Sequence, residues 1–168
     1  MVESLVDWFT GIFANVLPAE LVVFLISIMP ILELRGGLIA AALLNIPIVE
    51  AVCICVVGNL LPIPFILLLI RPIFNWLKKT SLFRPMVERL ESKAMGKSDK
   101  IRRYEFWGLF IFVGIPLPGT GAWTGALIAS MLNISIKRAM PPIILGVGMA
   151  AVIMCFFSYF LPWLLTQF

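Results

Sequence analysis

Histidine is absent from all 168 residues, which removes the usual catalytic base, the commonest metal ligand and the easiest proton carrier near neutral pH. Any proton chemistry falls to carboxylates. Charge is scarce as well: 13 Lys and Arg and 9 Asp and Glu make up 13% of the chain, against 61% hydrophobic residues and a mean hydropathy of +1.06. A soluble domain is nearer half apolar and a quarter charged, so the composition argues against a soluble globular enzyme and for a chain whose solvent is largely lipid. Cysteine is limited to Cys53, Cys55 and Cys155, all inside apolar runs. Cys53 and Cys55 would point about 200° apart on a helix and cannot clamp a metal, so plain lipid- or core-facing thiols are expected, with no metal site and no cofactor. The first seven residues carry Glu3 and Asp7 but no Lys or Arg. That is the reverse of a secretory signal's basic start, and the segment is expected to be retained.

What is present reads as one membrane domain over residues 1–168, with room for only a few crossings at about 20 residues each. Residues 4–17 place Leu5, Trp8, Phe9, Ile12, Phe13 and Val16 at helical spacing. Too short to span comfortably, this stretch predicts an interfacial helix. Residues 21–44 are apolar around a centre, Met29-Pro30-Ile31-Leu32-Glu33-Leu34-Arg35-Gly36-Gly37, that makes a poor straight helix. Residues 51–70 and 139–161 carry no charge and read as full spans, the second with Pro141-Pro142 near its start, where a helix tolerates proline. Residues 106–132 are again apolar and broken in the middle, by Pro116-Leu117-Pro118-Gly119-Thr120-Gly121.

Each broken stretch precedes a span, and the chain matches itself at an offset of 88. GLIAAALLNIPIVEA (37–51) lies over GALIASMLNISIKRA (125–139), with identities at Gly37/Gly125, Ala41/Ala129, Leu44/Leu132, Asn45/Asn133, Ile46/Ile134, Ile48/Ile136 and Ala51/Ala139. Gly58 also meets Gly146, and a two-residue gap brings Pro30 onto Pro116. This is an internal duplication: repeat one over 21–70, a connection over 71–104, and repeat two over 105–165.

Charge placement sets the topology. Ten of the 13 Lys and Arg lie in 71–104, two more are Lys137 and Arg138, and the last is Arg35. The positive-inside rule makes the connection cytoplasmic. Lys137 and Arg138 land on the same side only if 106–132 enters the membrane and returns. A re-entrant 21–44 likewise keeps Glu3, Asp7 and Glu20 outside. The expected fold is therefore an all-α integral membrane protein of the plasma membrane of a prokaryote: two re-entrant hairpins, each followed by a transmembrane helix, in an inverted repeat with both termini outside. Trp8 and Trp163 fall near the outer interface and Trp76 and Trp107 near the inner one; Trp123 is the exception, inside the second hairpin. Inverted pairs of broken helices that meet near the midplane are the plan of secondary transporters. Two spans give thin cover for two hairpins, so a homodimer is expected.

Glu33 and Arg35 are the only ionisable residues in the predicted membrane interior, at a cost of roughly 2.5–3.5 kcal/mol each. Two readings follow. In one, a mutual or cross-hairpin ion pair holds the tip together. In the other, Arg35 offers a fork to a phosphate or carboxylate and Glu33 takes and releases a proton, with Gly36 and Gly37 beside them. The second tip, Pro116, Pro118, Gly119, Thr120 and Gly121 with Thr124, leaves backbone N–H groups free and could meet an anion at a half-helix N-terminus, or be a tight turn packed through Gly121-x-x-x-Gly125. It is not a Walker loop, because no Lys follows. Asn45 and Asn133 are expected to end the hairpins, and Asn59 to find a partner between helices. In the basic connection, Pro85–Lys93 predicts a short amphipathic helix drawn to anionic lipid, with no nucleic-acid binding.

Pro30-x-x-Glu33-x-Arg35-Gly36-Gly37 together with Pro116-Leu117-Pro118-Gly119-Thr120-Gly121-Ala122-Trp123-Thr124-Gly125-Ala126 resembles the small multidrug export protein family, a distant relative of the DedA (VTT) membrane proteins. The resemblance covers nearly the whole chain. It implies a re-entrant, transporter-like fold, and the DedA relatives are associated with moving polyprenyl-phosphate or phospholipid carriers and with dependence on proton-motive force. DedA proteins carry an Arg near the second hairpin's proline; here only Arg35 is available to a phosphate. Three functions are weighed: a flippase-like carrier for an amphiphilic, anionic lipid-linked substrate, coupled to protons through Glu33; a proton-coupled exporter of small lipophilic cations; and a non-transporting scaffold that organises membrane lipids. None is an enzyme.

Overall fold

The computed structural model describes residues 17–80, 84–95, 105–117 and 119–160, together with Ser4, Val6, Trp8 and Gly11. Most of the expected interfacial helix 4–17, much of the connection 71–104, Pro118 and Trp163 lie outside the described residues. The described residues form helices and no strand: α1 (Ala19–Ile28), α2 (Glu33–Leu43), α3 (Ile48–Leu60), α4 (Ile63–Leu77), α5 (Arg84–Met95), α6 (Glu105–Gly114), α7 (Ala122–Met131) and α8 (Ile136–Cys155), which runs on in π-helical turns through Phe156–Phe160.

Proline and asparagine punctuate the chain. α1 stops where Met29 turns extended (ψ 135°), because the ring of Pro30 disfavours the helical region for the residue before it. α2 and α7 end alike. Asn45 (φ 55°) and Asn133 (φ 61°) adopt the left-handed conformation, and the residue after each closes the helix by bonding back, Ile46 N to Ala41 O at 2.9 Å and Ile134 N to Ala129 O at 3.0 Å. The asparagine N–H groups bond to Ala42 O and Ser130 O, both at 3.2 Å. This pair of bonds is a Schellman closure. The repeated Leu-Asn-Ile encodes it, since Asn tolerates a conformation that costs other L-residues roughly 1–2 kcal/mol.

After each closure the chain turns into an apolar helix. Ile48–Ile70 and Ile136–Tyr159 are long and apolar enough to cross a membrane, and only 28% and 33% of their most apolar windows are buried inside the chain. A soluble protein's core helix would be mostly buried; here the apolar surface faces outward, as in Val57, Phe65, Leu68 and Val152. The first span has a discontinuity at Leu61-Pro62 between α3 and α4. The second begins at Ile136, three residues before the expected start, so Pro141 and Pro142 lie inside α8. Each removes one bond to the preceding turn.

Packing within the halves also repeats. α1, α2 and α3 pack on one another pairwise, as do α6, α7 and α8. Ser27 of α1 is wedged between two glycines, so that a Cβ at Gly37 would fall on its hydroxyl and one at Gly58 would lie 3.0 Å from its Cβ. Val113 of α6 sits the same way between Gly125 and Gly146, at 2.7 and 2.8 Å from the Cβ positions. Across the halves α2 and α3 meet α8, and α4 meets α7. Tyr159 at the end of α8 donates to Ile46 O at 3.3 Å, and Ser130 near the end of α7 to Leu67 O at 3.5 Å. The amphipathic segment of the connection is α5, which packs on α4 and α7, buries Val87 and carries an exposed Arg84–Glu88 ion pair at 2.8 Å.

The closures give a direct test. Asn45→Gly and Asn133→Gly should leave thermal unfolding of the detergent-purified protein unchanged or slightly raised, while Asn45→Val and Asn133→Val should each lose about 1–2 kcal/mol, because only the β-branched residue is strained there.

Candidate functional site

The two breaks meet. α7 starts after Gly121, which has no side chain with which to satisfy the first N–H groups of the helix, and the acceptor comes from 89 residues earlier: Glu33 Oε2 takes Ala122 N at 3.3 Å and Oε1 takes Trp123 N at 3.2 Å. A carboxylate at a helix N-terminus meets both the unpaired donors and the positive end of the peptide dipoles. Gly121 is required twice. A Cβ there would fall on the Glu33 carboxylate, and its φ of 140° is a backbone conformation side chains rarely adopt. Glu33 is itself buried, 6% exposed, and sits at φ 50° in the left-handed region. Such a conformation costs of the order of 1–3 kcal/mol and persists where surrounding contacts over-determine it; here these are the two N–H bonds and its own N–H on Met29 O at 2.8 Å.

Arg35 holds the other end of the second break. Its Nη1 donates to Leu117 O at 2.5 Å, and its Nη2 donates to Thr120 O at 2.7 Å and reaches Thr120 Oγ1 at 3.1 Å. Thr120 Oγ1 also accepts from Leu117 N at 3.2 Å and can donate to Leu117 O or Ile115 O, at 2.8 and 2.9 Å. The planar guanidinium suits this use, because two carbonyls of an irregular loop need donors in a fixed fork. Both charges thus go to the backbone of the second break. The latch is neither a mutual ion pair nor a cross-hairpin one, and the anion at the α7 N-terminus is the protein's own.

The remaining candidates fall into two groups. Gly119 (φ 78°, exposed), Gly121, Thr120 and half-buried Pro116 shape the second break, and Thr124 is half-buried on the first turn of α7; Pro118 is outside the described residues. Gly36 and Gly37 serve packing: a Cβ at Gly36 would lie 2.7 Å from Leu32 Cβ, and one at Gly37 would lie 2.8 Å from Cys55 Sγ. Cys53 is exposed, Cys55 buried, and all three cysteines are free. Sequence reasoning missed Leu117, Ala122 and Trp123 as partners, since they act through main-chain atoms. The expectation of a helix–helix partner for Asn59 is corrected: it is buried, and its Oδ1 finds no partner among the described residues, nor does the indole N–H of Trp123.

The chemistry available is reversible attachment. Loss of the carboxylate charge, or competition by another anion at the α7 N-terminus, would free the Ala122 and Trp123 N–H groups from Glu33. A double-mutant cycle tests the geometry. Gly121→Ala should cost more in the wild type than in the Glu33→Ala background, with a coupling of about 0.5–3 kcal/mol in thermal or denaturant unfolding. Arg35→Lys should destabilise as well, since an ammonium cannot span both carbonyls as the fork does.

Residues 33–153 match the model of the family described as "Putative small multi-drug export protein". No curated protein and no solved structure matches. The matched region opens on Glu33, just after the first break, and contains the second break, both helix-ending asparagines, the whole first span and most of the second. With the latch and two outward-facing apolar spans inside a match over well over half of its length, this membrane chain belongs to the small multi-drug export protein family.

Proposed function

We propose that the protein is a non-enzymatic membrane exporter of small amphiphilic molecules, in which two inverted halves are held at the midplane by the Glu33/Arg35 latch and part as substrate passes. The observation that carries the reading is the latch itself: two ionisable side chains at the start of one helix satisfy the backbone of a second broken helix. Discontinuous helices that meet in this way are the sites of secondary transporters. Distances along the helices support the depth. From Glu33 to Leu43 is ten steps of 1.5 Å, or about 15 Å, half of a hydrocarbon layer of about 30 Å.

The inversion draws support from two contacts. The bond from Tyr159 to Ile46 sets the end of the second span beside the start of the first, and Ser130 lies against Leu67, well along the first span. Asn45 and Asn133 then belong to opposite faces, and both hairpins are re-entrant. The basic connection 71–104 is cytoplasmic in this reading, in a prokaryotic plasma membrane with the termini outside, and a second copy covers part of the outward apolar surface. Kinship to DedA proteins rests on the same broken-helix pair.

Among substrates the exporter reading stands ahead of an anionic lipid-linked carrier. A phosphate would have to displace either two carbonyls from Arg35 or the Glu33 carboxylate from α7, whereas a cation leaves both in place. Protonation of Glu33 would remove the charge that α7 depends on, which gives coupling to a proton gradient a physical route.

Proteoliposomes test this. An imposed pH gradient should drive movement of a lipophilic cation, with Glu33→Gln lowering the rate roughly tenfold or more, equivalent to about 1.4 kcal/mol of barrier. Gradient-driven movement of polyprenyl phosphate in place of the cation, lost in Arg35→Ala, would overturn the substrate assignment. Transport of neither, with cell growth phenotypes intact when both charges are neutralised together, would overturn export in favour of the scaffold.

A further inference from the structure

Charge divides between the two ends of the bundle. The bond from Tyr159 to Ile46 O sets the end of α8 beside the start of α3, so the first span runs against the second, and α4, which continues it, ends toward the start of α8. α6 runs alongside α8 in the same direction, because Gly146 lies against Phe110 and Val113, and Gly114 against Met149. α5 packs on α4 and α7. One end therefore gathers the close of α4, helix α5 and the first turns of α6 and α8. Among the described residues it holds Lys78, Lys79, Arg84, Arg89, Lys137 and Arg138 against Glu88 and Glu105, while the start of α3, at the other end, carries Glu50. We propose that this basic end is a docking surface for the anionic headgroups of a lipid leaflet, built jointly by both halves of the chain.

Three observations select lipid as the occupant. The first is charge complementarity, since clustered Lys and Arg beside a membrane span attract anionic headgroups. Of the two acids at this end, Glu88 is already taken by Arg84 at 2.8 Å. The second is the company the cations keep. Trp76, two residues before Lys78, and Trp107, in the first turn of α6, are 67% and 62% exposed, and Met86 stands exposed between Arg84 and Arg89. Amphipathic rings belong at the headgroup level, and a helix that mixes basic and apolar exposure suits the interface. An acidic protein or a nucleic acid in water would have no use for the apolar part.

The third is the opening turn of α8. Lys137 and Arg138 stand there with no acid beside them, and Ser135 makes no side-chain cap bond. Cations at the positive end of a helix are unfavourable unless an anion joins them. At the offset of 88 the first half places Val49 and Glu50 at these positions, which is the sign that a helix start favours. A lipid phosphate would offset both the side chains and the dipole. The proposal needs a membrane but neither export nor the latch, so it stands or falls apart from the exporter reading.

The full-length protein is reconstituted in phosphatidylcholine vesicles with trace spin-labelled phosphatidylglycerol or spin-labelled phosphatidylcholine, and electron spin resonance reads the motionally restricted fraction of each. Phosphatidylglycerol should be favoured about threefold or more, and should lose most of that advantage at about 1 M salt, where screening is short-ranged. Lys137→Gln with Arg138→Gln should lower the preference by about half or more, and Lys79→Gln, Arg84→Gln and Arg89→Gln together should do the same from the side of α4 and α5. Lys137→Arg with Arg138→Lys should retain it. Thermal unfolding in neutral detergent checks that each variant folds, and either neutralised set carries the test should the other fold poorly. Equal association of the two lipids, or a preference that survives in a folded neutralised variant, would overturn the proposal. Equal association together with capture of polyglutamate by the vesicles would overturn it in favour of an acidic protein partner.

Discussion

An irregular stretch of backbone cannot sit among apolar helices unless something bonds its N–H and C=O groups, and this protein meets that demand with two side chains. Residues 115–121 leave a helix N-terminus and several carbonyls without helical partners. Glu33 takes the N–H groups of Ala122 and Trp123; Arg35 supplies donors to Leu117 and Thr120. The match of sign is strict, because a helix start offers only donors and a loop of carbonyls only acceptors. Exchanging the two charges would leave both ends unsatisfied. The cost of burying Glu33 and half-burying Arg35 is offset by what they satisfy.

The two halves share a construction but divide this labour unequally. Both stop a helix at a proline, restart it after a break, close it on a left-handed asparagine and wedge one residue between two glycines. Yet only the first half contributes charged side chains to the junction, and the second answers with main chain alone. Glu50 against Arg138 is a second such asymmetry. A framework built alike in both halves thus carries different electrostatics at matching positions.

Much of the framework was legible in the sequence, because proline, asparagine and long uncharged runs act locally. The breaks at Pro30 and Pro116, the closures at Asn45 and Asn133, helix α5 and the offset of 88 all follow from residue types and spacing. The start of α8 was less legible: Pro141-Pro142 suggested a helix beginning nearby, but extended Ser135 sets it earlier, and the prolines are tolerated within. The prominence of Glu33 and Arg35 could be read from their depth. What they hold could not, since their partners are peptide groups that any residue supplies. Asn59 shows the same limit from the other side, as residue type placed a polar group in the span but not the partner that its Oδ1 lacks among the described residues.

The latch joins positions more than eighty residues apart in the chain, and this has a consequence for biogenesis. At about 5–20 residues per second, synthesis delivers Glu33 and Arg35 several seconds before Leu117, Thr120 and Trp123 leave the ribosome. During that interval the first half holds two charges without their eventual partners, and other polar groups must solvate them. The nascent first half is incomplete in its hydrogen bonding, and the arrival of the second break settles it.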